Sequence, residues 1–122
     1  MRKESSDLRI LTVSEIFWPE GGGAELATYL ILKMLRHERC KLTVVTGTRN
    51  PRLEDSTKCY YTPLLRKTDR VKLWSRTALL AQAAWFEKLM QSHDILYIPL
   101  TAYPLIPIAK KRNLKVIVHL HN

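Results

Sequence analysis

The chain has 122 residues, the length of one domain, and its 46% hydrophobic and 25% charged residues are the composition of a globular protein, which excludes disorder and fibrous repeats. Lys and Arg number 20 against 11 Asp and Glu, a net charge of +9 that favours anionic partners such as phosphates, nucleic acid or acidic lipid. Two cysteines, Cys40 and Cys59, are too few for a disulfide scaffold and lack zinc spacing, so reduced, partly buried thiols are expected.

Residues 1–7, MRKESSD, are polar and lack the apolar stretch of a secretory signal. Residues 8–14, LRILTVS, form a short apolar run that predicts a buried strand. The following EIFWPEGGG has no regular pattern and is punctuated by Pro19, Gly21, Gly22 and Gly23. Residues 24–37 then predict a helix, with Ala27, Leu30, Ile31, Met34 and Leu35 at helical spacing. Glu25 in its first turn and Lys33, Arg36 and His37 near its end suit the helix dipole.

Residues 41–47, KLTVVTG, predict a second strand, 48–58 a loop, and 59–65 a short strand that Pro63 places at an edge. A basic connector leads into 73–91, which predicts one long helix with Trp74, Ala78, Ala81, Trp85 and Leu89 on its inner stripe. Residues 94–100 predict a strand and 103–113 a short helix, with Pro104 tolerated in the first turn and Pro107 disturbing it. Residues 115–122, KVIVHLHN, predict the last strand, an apolar edge open to a partner. The longest uncharged run, 95–109, contains three prolines and falls short of the ~18 apolar residues that span a bilayer. A cytoplasmic domain over 8–122 is expected.

Alternating helices and uniformly apolar strands predict an α/β fold: a Rossmann-like, doubly wound, mainly parallel sheet of about five strands with helices on both faces. Ligands bind such sheets at the C-terminal strand ends. Here those are residues 14–23, 46–49, 99–103 and 119–122.

The glycine run follows a strand and opens a helix, where backbone N–H groups bind anions; a loop needing only a permissive backbone is the other reading. A Walker loop is excluded, because Ala24-Glu25 stands where Gly-Lys-Ser/Thr is required. A dinucleotide fingerprint is opposed by Leu26 at the third glycine and by Thr46-Gly47-Thr48 where an acidic ribose ligand belongs.

FWPEGGGAELATYLILKML, then LTVVTG, then the closing VIVHLHN resemble the N-terminal, acceptor-side domain of family 4 retaining glycosyltransferases of the GT-B fold. Phe17, Trp18, Pro19, Gly22, Gly23 and Glu25 carry the likeness, with His121 at the last strand's end, and it spans 8–122. Arg39-Cys40 and Asn122 depart from the family's Gly-His and its acidic residue. The resemblance implies transfer of a sugar from a nucleotide-sugar donor to a sugar or lipid-linked acceptor with retention of configuration. It implies no cofactor and no metal. Gly22 and Gly23 would lie against the donor diphosphate, His121 would be catalytic, and Glu25 would be a motif carboxylate. The family's donor domain, with its paired glutamates, has no counterpart in these residues, so the isolated chain is expected to be inactive. A non-catalytic subunit of a split transferase, recruiting a donor-domain chain, and a basic anion- or nucleic-acid-binding module are the alternatives.

Arg66, Lys67, Arg70, Lys72 and Arg76 cluster around Trp74. A solvated face over a core helix is one reading. A basic amphipathic helix on an anionic membrane is another, placing the protein on the inner membrane surface and suiting lipid-linked acceptors. Nucleic-acid binding is the least favoured reading, since the aromatics sit at helical core spacing and no known motif is present. His119 and His121 form a His-x-His pair without a third metal ligand in view. His37 and His93 flank helices as solvated or end-capping residues.

Overall fold

The computed structural model describes residues 7–53, 57–66 and 70–119. Along them run β1 (Arg9–Ser14), α1 (Gly23–His37), β2 (Lys41–Thr46), β3 (Lys58–Tyr61), α2 (Arg70–Ala81), α3 (Ala84–Gln91), β4 (Ile95–Ile98), α4 (Ile106–Lys111) and β5 (Lys115–Val118). The strands pair in parallel in the order β3-β2-β1-β4-β5, with Arg9 opposite Lys41, Ser14 opposite Thr46 and Ile10 opposite Ile95. Parallel neighbours need crossovers; α1 supplies the one from β1 to β2 and α4 the one from β4 to β5. This is the expected Rossmann-like architecture. The winding reverses at β1, so a crevice opens between the C-terminal ends of β1 and β4.

Alternation along the strands divides the core in two. On one face Leu80, Phe86, Met90 and Ala109 from α2, α3 and α4 pack on Leu11, Val13, Val45, Leu96 and Ile98. On the other, Leu32 of α1 joins Ile10, Leu42, Val44, Tyr97 and Phe17. Phe17 and Phe86 are wholly buried, each contributing ~1.5–3 kcal/mol of transfer free energy.

Four details differ from the sequence expectations. The helix over 73–91 is two helices: the N–H groups of Gln82 and Ala83 bond back to Leu79 and Leu80 with a 3-10 reach, and Ala83 turns to an extended ψ of 132°. The break resets the helical phase. Leu73, Thr77 and Leu80 face the core before it and Phe86 and Met90 after it, while Trp74, Leu79 and Trp85 are exposed. In α1 the buried line runs through Thr28 and Leu32, leaving Leu30 and Met34 exposed. The strand over 59–65 ends at Tyr61, and Pro63 begins a 3-10 turn, Pro63–Leu65. The segment 103–113 divides into a 3-10 turn, Tyr103–Leu105, and α4, so Pro104 and Pro107 each sit in a first turn and neither breaks a helix. Both cysteines are free, with Cys40 half-buried and Cys59 exposed. Among the described residues no helix is long and apolar enough to cross a membrane.

Candidate functional site at the C-terminal edge of the sheet

The β1–α1 loop leaves the sheet at the crevice and is tied to three neighbouring segments. Glu15, directly after β1, is 4% exposed. Its carbonyl accepts the Gly47 N–H at 3.1 Å, and its Oε2 accepts the Thr101 N–H at 3.0 Å and the Thr101 hydroxyl. It therefore joins β1, the end of β2 and the loop after β4. Its other carboxylate oxygen, Oε1, is buried with no hydrogen-bond partner among the described residues. Buried polar atoms are nearly always paired, so this oxygen at the switch point makes Glu15 a candidate site residue.

Thr48 organises the next turn of the loop. Its Oγ1 accepts the Phe17 N–H at 2.9 Å and donates to Glu20 Oε1 at 2.6 Å. Arg66 donates to the same Glu20 oxygen at 3.1 Å and to the Gly47 carbonyl at 2.8 Å. The Thr48 hydrogen bond holds the Glu20 carboxyl below its usual value; burial opposes it, and the Arg66 charge and hydrogen bond add to the lowering. The Trp18–Pro19 peptide is cis. Beside this loop lies a cleft of about 640 Å³, lined among others by Glu20, Thr48, Arg49, Tyr61, Arg66 and Arg76. Arg49 lies 5.4 Å from the Tyr61 ring centroid, within cation–π distance.

The three glycines do different things. Gly21 has φ of +95°, and a Cβ there would lie 2.6 Å from the Glu25 side chain, so only glycine fits. A Cβ on Gly22 or Gly23 would meet nothing within 4 Å among the described residues, which leaves the outer side of the turn open there. Glu25 folds back and accepts the Gly22 N–H at 2.7 Å, the carboxylate half of a capping box. This is the helix-start role, and it places a negative charge beside the positive end of the α1 dipole. The N–H groups of Gly23, Ala24 and Glu25 in the first turn have no intrahelical acceptor.

The structure divides the basic segment. Arg66 and Arg76 line the cleft at the C-terminal edge, whereas Lys72 and Trp74 are exposed on α2. Lys67 and the Arg70 side chain lie outside the described residues, as do His121 and Asn122. His119 sits just past β5, with Nδ1 at 3.2 Å from the Tyr97 hydroxyl. Among the described residues no three His, Cys, Asp or Glu side chains converge on a metal position. His93 is half-buried rather than solvated, and it does cap α3: Nδ1 donates to the Leu89 carbonyl at 2.6 Å, and Nε2 accepts the Thr43 hydroxyl at 2.8 Å.

Sequence reasoning missed Glu15, Glu20, Thr48 and Arg49. Glu15 left one signal, an acidic residue directly after an apolar strand on the ligand-binding edge. The partnership of Glu20, Thr48 and Arg66 spans 46 positions and left no local signal. No known family model matches the chain, and no curated protein is similar to it.

Proposed function

We propose that this domain is the acceptor-side half of a retaining glycosyltransferase, which transfers a sugar from a nucleotide-sugar donor to a sugar or lipid-linked acceptor. One observation carries the reading: the open glycine turn begins α1 at the C-terminal edge, beside the switch point, with arginines lining the adjoining cleft. Unpaired N–H groups, a helix dipole and arginine side chains suit a leaving nucleoside diphosphate, whose negative charge grows as the glycosidic bond breaks. Gly22 and Gly23 contact that diphosphate, and Glu25 shapes the turn. His121, at the end of the last predicted strand, contacts the transferred sugar. The nucleoside is held by a donor-side domain, so these residues alone do not turn over. Lys72 and the exposed Trp74 then offer a contact to an anionic membrane at the cytoplasmic surface when the acceptor is a lipid.

The test is a titration of isotope-labelled protein with UDP and with GDP, followed by amide resonances. Shifts confined to Gly22, Gly23 and Ala24 and to the Arg66 side chain are expected, and valine at Gly22 and Gly23 should abolish them. Shifts absent there at millimolar nucleotide would refute the reading.

A second reading, a subunit that recruits a separate donor-domain chain, is favoured by the β5 edge, which pairs with no further strand among the described residues. Ile117 and Val118 are exposed there beside an apolar groove of about 500 Å³. Slow amide exchange of β5 in the isolated domain at low concentration would count against it.

A further inference from the structure

A second concave site lies at the opposite, N-terminal edge of the sheet. In a parallel α/β fold the strand starts and the helix ends gather at that edge. Helix ends attract cations through their dipole, but strand starts have no such cause. Yet β1, β2 and β3 start with Arg9, Lys41 and Lys58, and Arg9 stands directly opposite Lys41 in register. Like charges in that position repel. Arg36, Arg39 and Lys88 complete the cationic wall of a hollow of about 900 Å³. Among the described residues Asp7 is the one carboxylate lining it, 4.0 Å from Arg39, while Arg9 is paired with Asp94. No described carboxylate forms an ion pair with Lys41, Lys58 or Lys88.

Two aromatics line the same hollow. Tyr60 and Trp85 stack on each other, centroids 5.9 Å apart at an interplanar angle of 21°, and each keeps 39% of its surface exposed. Phe86 meets Trp85 edge-on and holds its ring in place. A pre-stacked indole beside unpaired lysines is the combination that receives a nucleotide unit: the base extends the stack and the phosphates meet the cations. A flat membrane surface does not enter a hollow, so the concavity favours a nucleotide over a bilayer.

We infer that this N-terminal-edge hollow binds a phosphorylated nucleotide unit, free or within a single strand, by stacking its base on the Tyr60–Trp85 pair and placing its phosphates against Lys41, Lys58 and Lys88. The site is remote from the glycine turn and does not depend on the proposed transferase activity.

Fluorescence anisotropy of a labelled short oligo(dT) tests it, with ATP as competitor and vesicles of phosphatidylglycerol as the comparison surface. The full chain should bind the oligonucleotide, and Trp85→Leu should weaken binding roughly 5- to 150-fold, the range for one lost base stack. The double variant Lys58→Gln, Lys88→Gln should weaken binding and lower the slope of log affinity against log salt by ~0.7 for each lysine removed. Displacement by ATP at matched nucleotide concentration assigns the site to free nucleotide, and resistance to ATP assigns it to a strand. Unchanged affinity in the lysine variant, whose side chains are exposed and outside the core, would overturn the inference. So would a Trp85→Leu protein of parental stability with parental affinity, or binding to vesicles but not to oligonucleotide.

Discussion

Glu15 separates two reasons for burying a carboxylate. Glu15→Gln preserves both hydrogen bonds from Thr101, because an amide oxygen accepts from the N–H and the hydroxyl as Oε2 does. It replaces the partnerless Oε1 with an amide NH2, exchanging a costly buried acid for a neutral group that also lacks a partner. The gain from removing the acid and the ~1–3 kcal/mol of an unpaired NH2 nearly offset, so stability should stay within about 1 kcal/mol of the parent. Glu15→Ala instead strips Thr101 of its acceptor and unlinks β1 from the loop after β4. Hydrogen bonds to charged groups contribute ~1.5–3 kcal/mol each, so a loss of about 3 kcal/mol is expected. At a urea slope of ~1–3 kcal/mol/M that lowers the midpoint by roughly 1–3 M, readily seen by circular dichroism. If the glutamine variant falls as far as the alanine variant, the acid itself holds the fold and the orphan oxygen is not a functional sign. If the glutamine variant matches the parent, stability gives no reason for an acid here, and the reason must be chemistry at the crevice.

Three further outcomes follow from the same packing. Gly47→Ala would put a Cβ 2.6 Å from the backbone of Leu65 and 2.7 Å from the Arg66 nitrogen, where no flexible side chain can give way, and should cost ~1–3 kcal/mol or more in urea unfolding. Leu80→Ala should cost ~2–5 kcal/mol while Leu79→Ser, one position away but exposed, should stay within ~0.5 kcal/mol; equal effects would contradict the phase of α2. Burial disfavours the protonated form of His93 and lowers its pKa below the ordinary 6.5, opposed by the Leu89 carbonyl and Asp94 and aided by the charges of Arg9 and Lys58. The unfolded chain therefore takes up the proton first, and stability falls as pH drops from 6.5 toward the folded value and is flat above it. Urea midpoints on either side of 6.5 should show that slope in the parent and lose it in His93→Gln. The depressed carboxyls of Glu20 and Asp94 act only below their ordinary values of 4.5 and 3.8, so they leave this window clear.

The α/β class, the parallel sheet and the two-sided core were legible because β1 and β2 are short apolar runs and α1 carries Glu25 at its start and Arg36 and His37 at its end, as its dipole favours. The break at Gln82 and Ala83 was not, because an alanine-rich stretch without Gly or Pro carries no stop signal. A single period fitted across 73–91 put Trp74 and Trp85 on the inner stripe, whereas Leu73, Thr77 and Leu80 face the core before the break and Phe86 and Met90 after it. Glu25 was legible as a helix-start acid, because a capping box is local, joining residues three positions apart. The Glu20–Thr48–Arg66 group was not, because only the folded sheet brings its members together.

Charge shows the same division more sharply. The net +9 is one number in the composition, but the fold distributes much of it between two hollows at opposite ends of the strands. A six-residue strand such as β1 spans about 20 Å at ~3.3 Å per residue. Along β1 and β2 that is more than twice the ~8 Å screening length at physiological salt, whereas along β3 the neighbouring Tyr60 and Tyr61 line one hollow each. Charges at the two ends of β1 and β2 therefore act separately in a cell, and β3 is where the two hollows approach. Neutralising Lys58 and Lys88 should leave nucleoside-diphosphate shifts at Gly22 and Gly23 unchanged, and Arg66→Gln should leave oligonucleotide affinity unchanged. At low salt the screening length exceeds the sheet and both substitutions should act at both ends. Coupling that persists at physiological salt would mean that one continuous basic surface, and not two sites, meets the ligand.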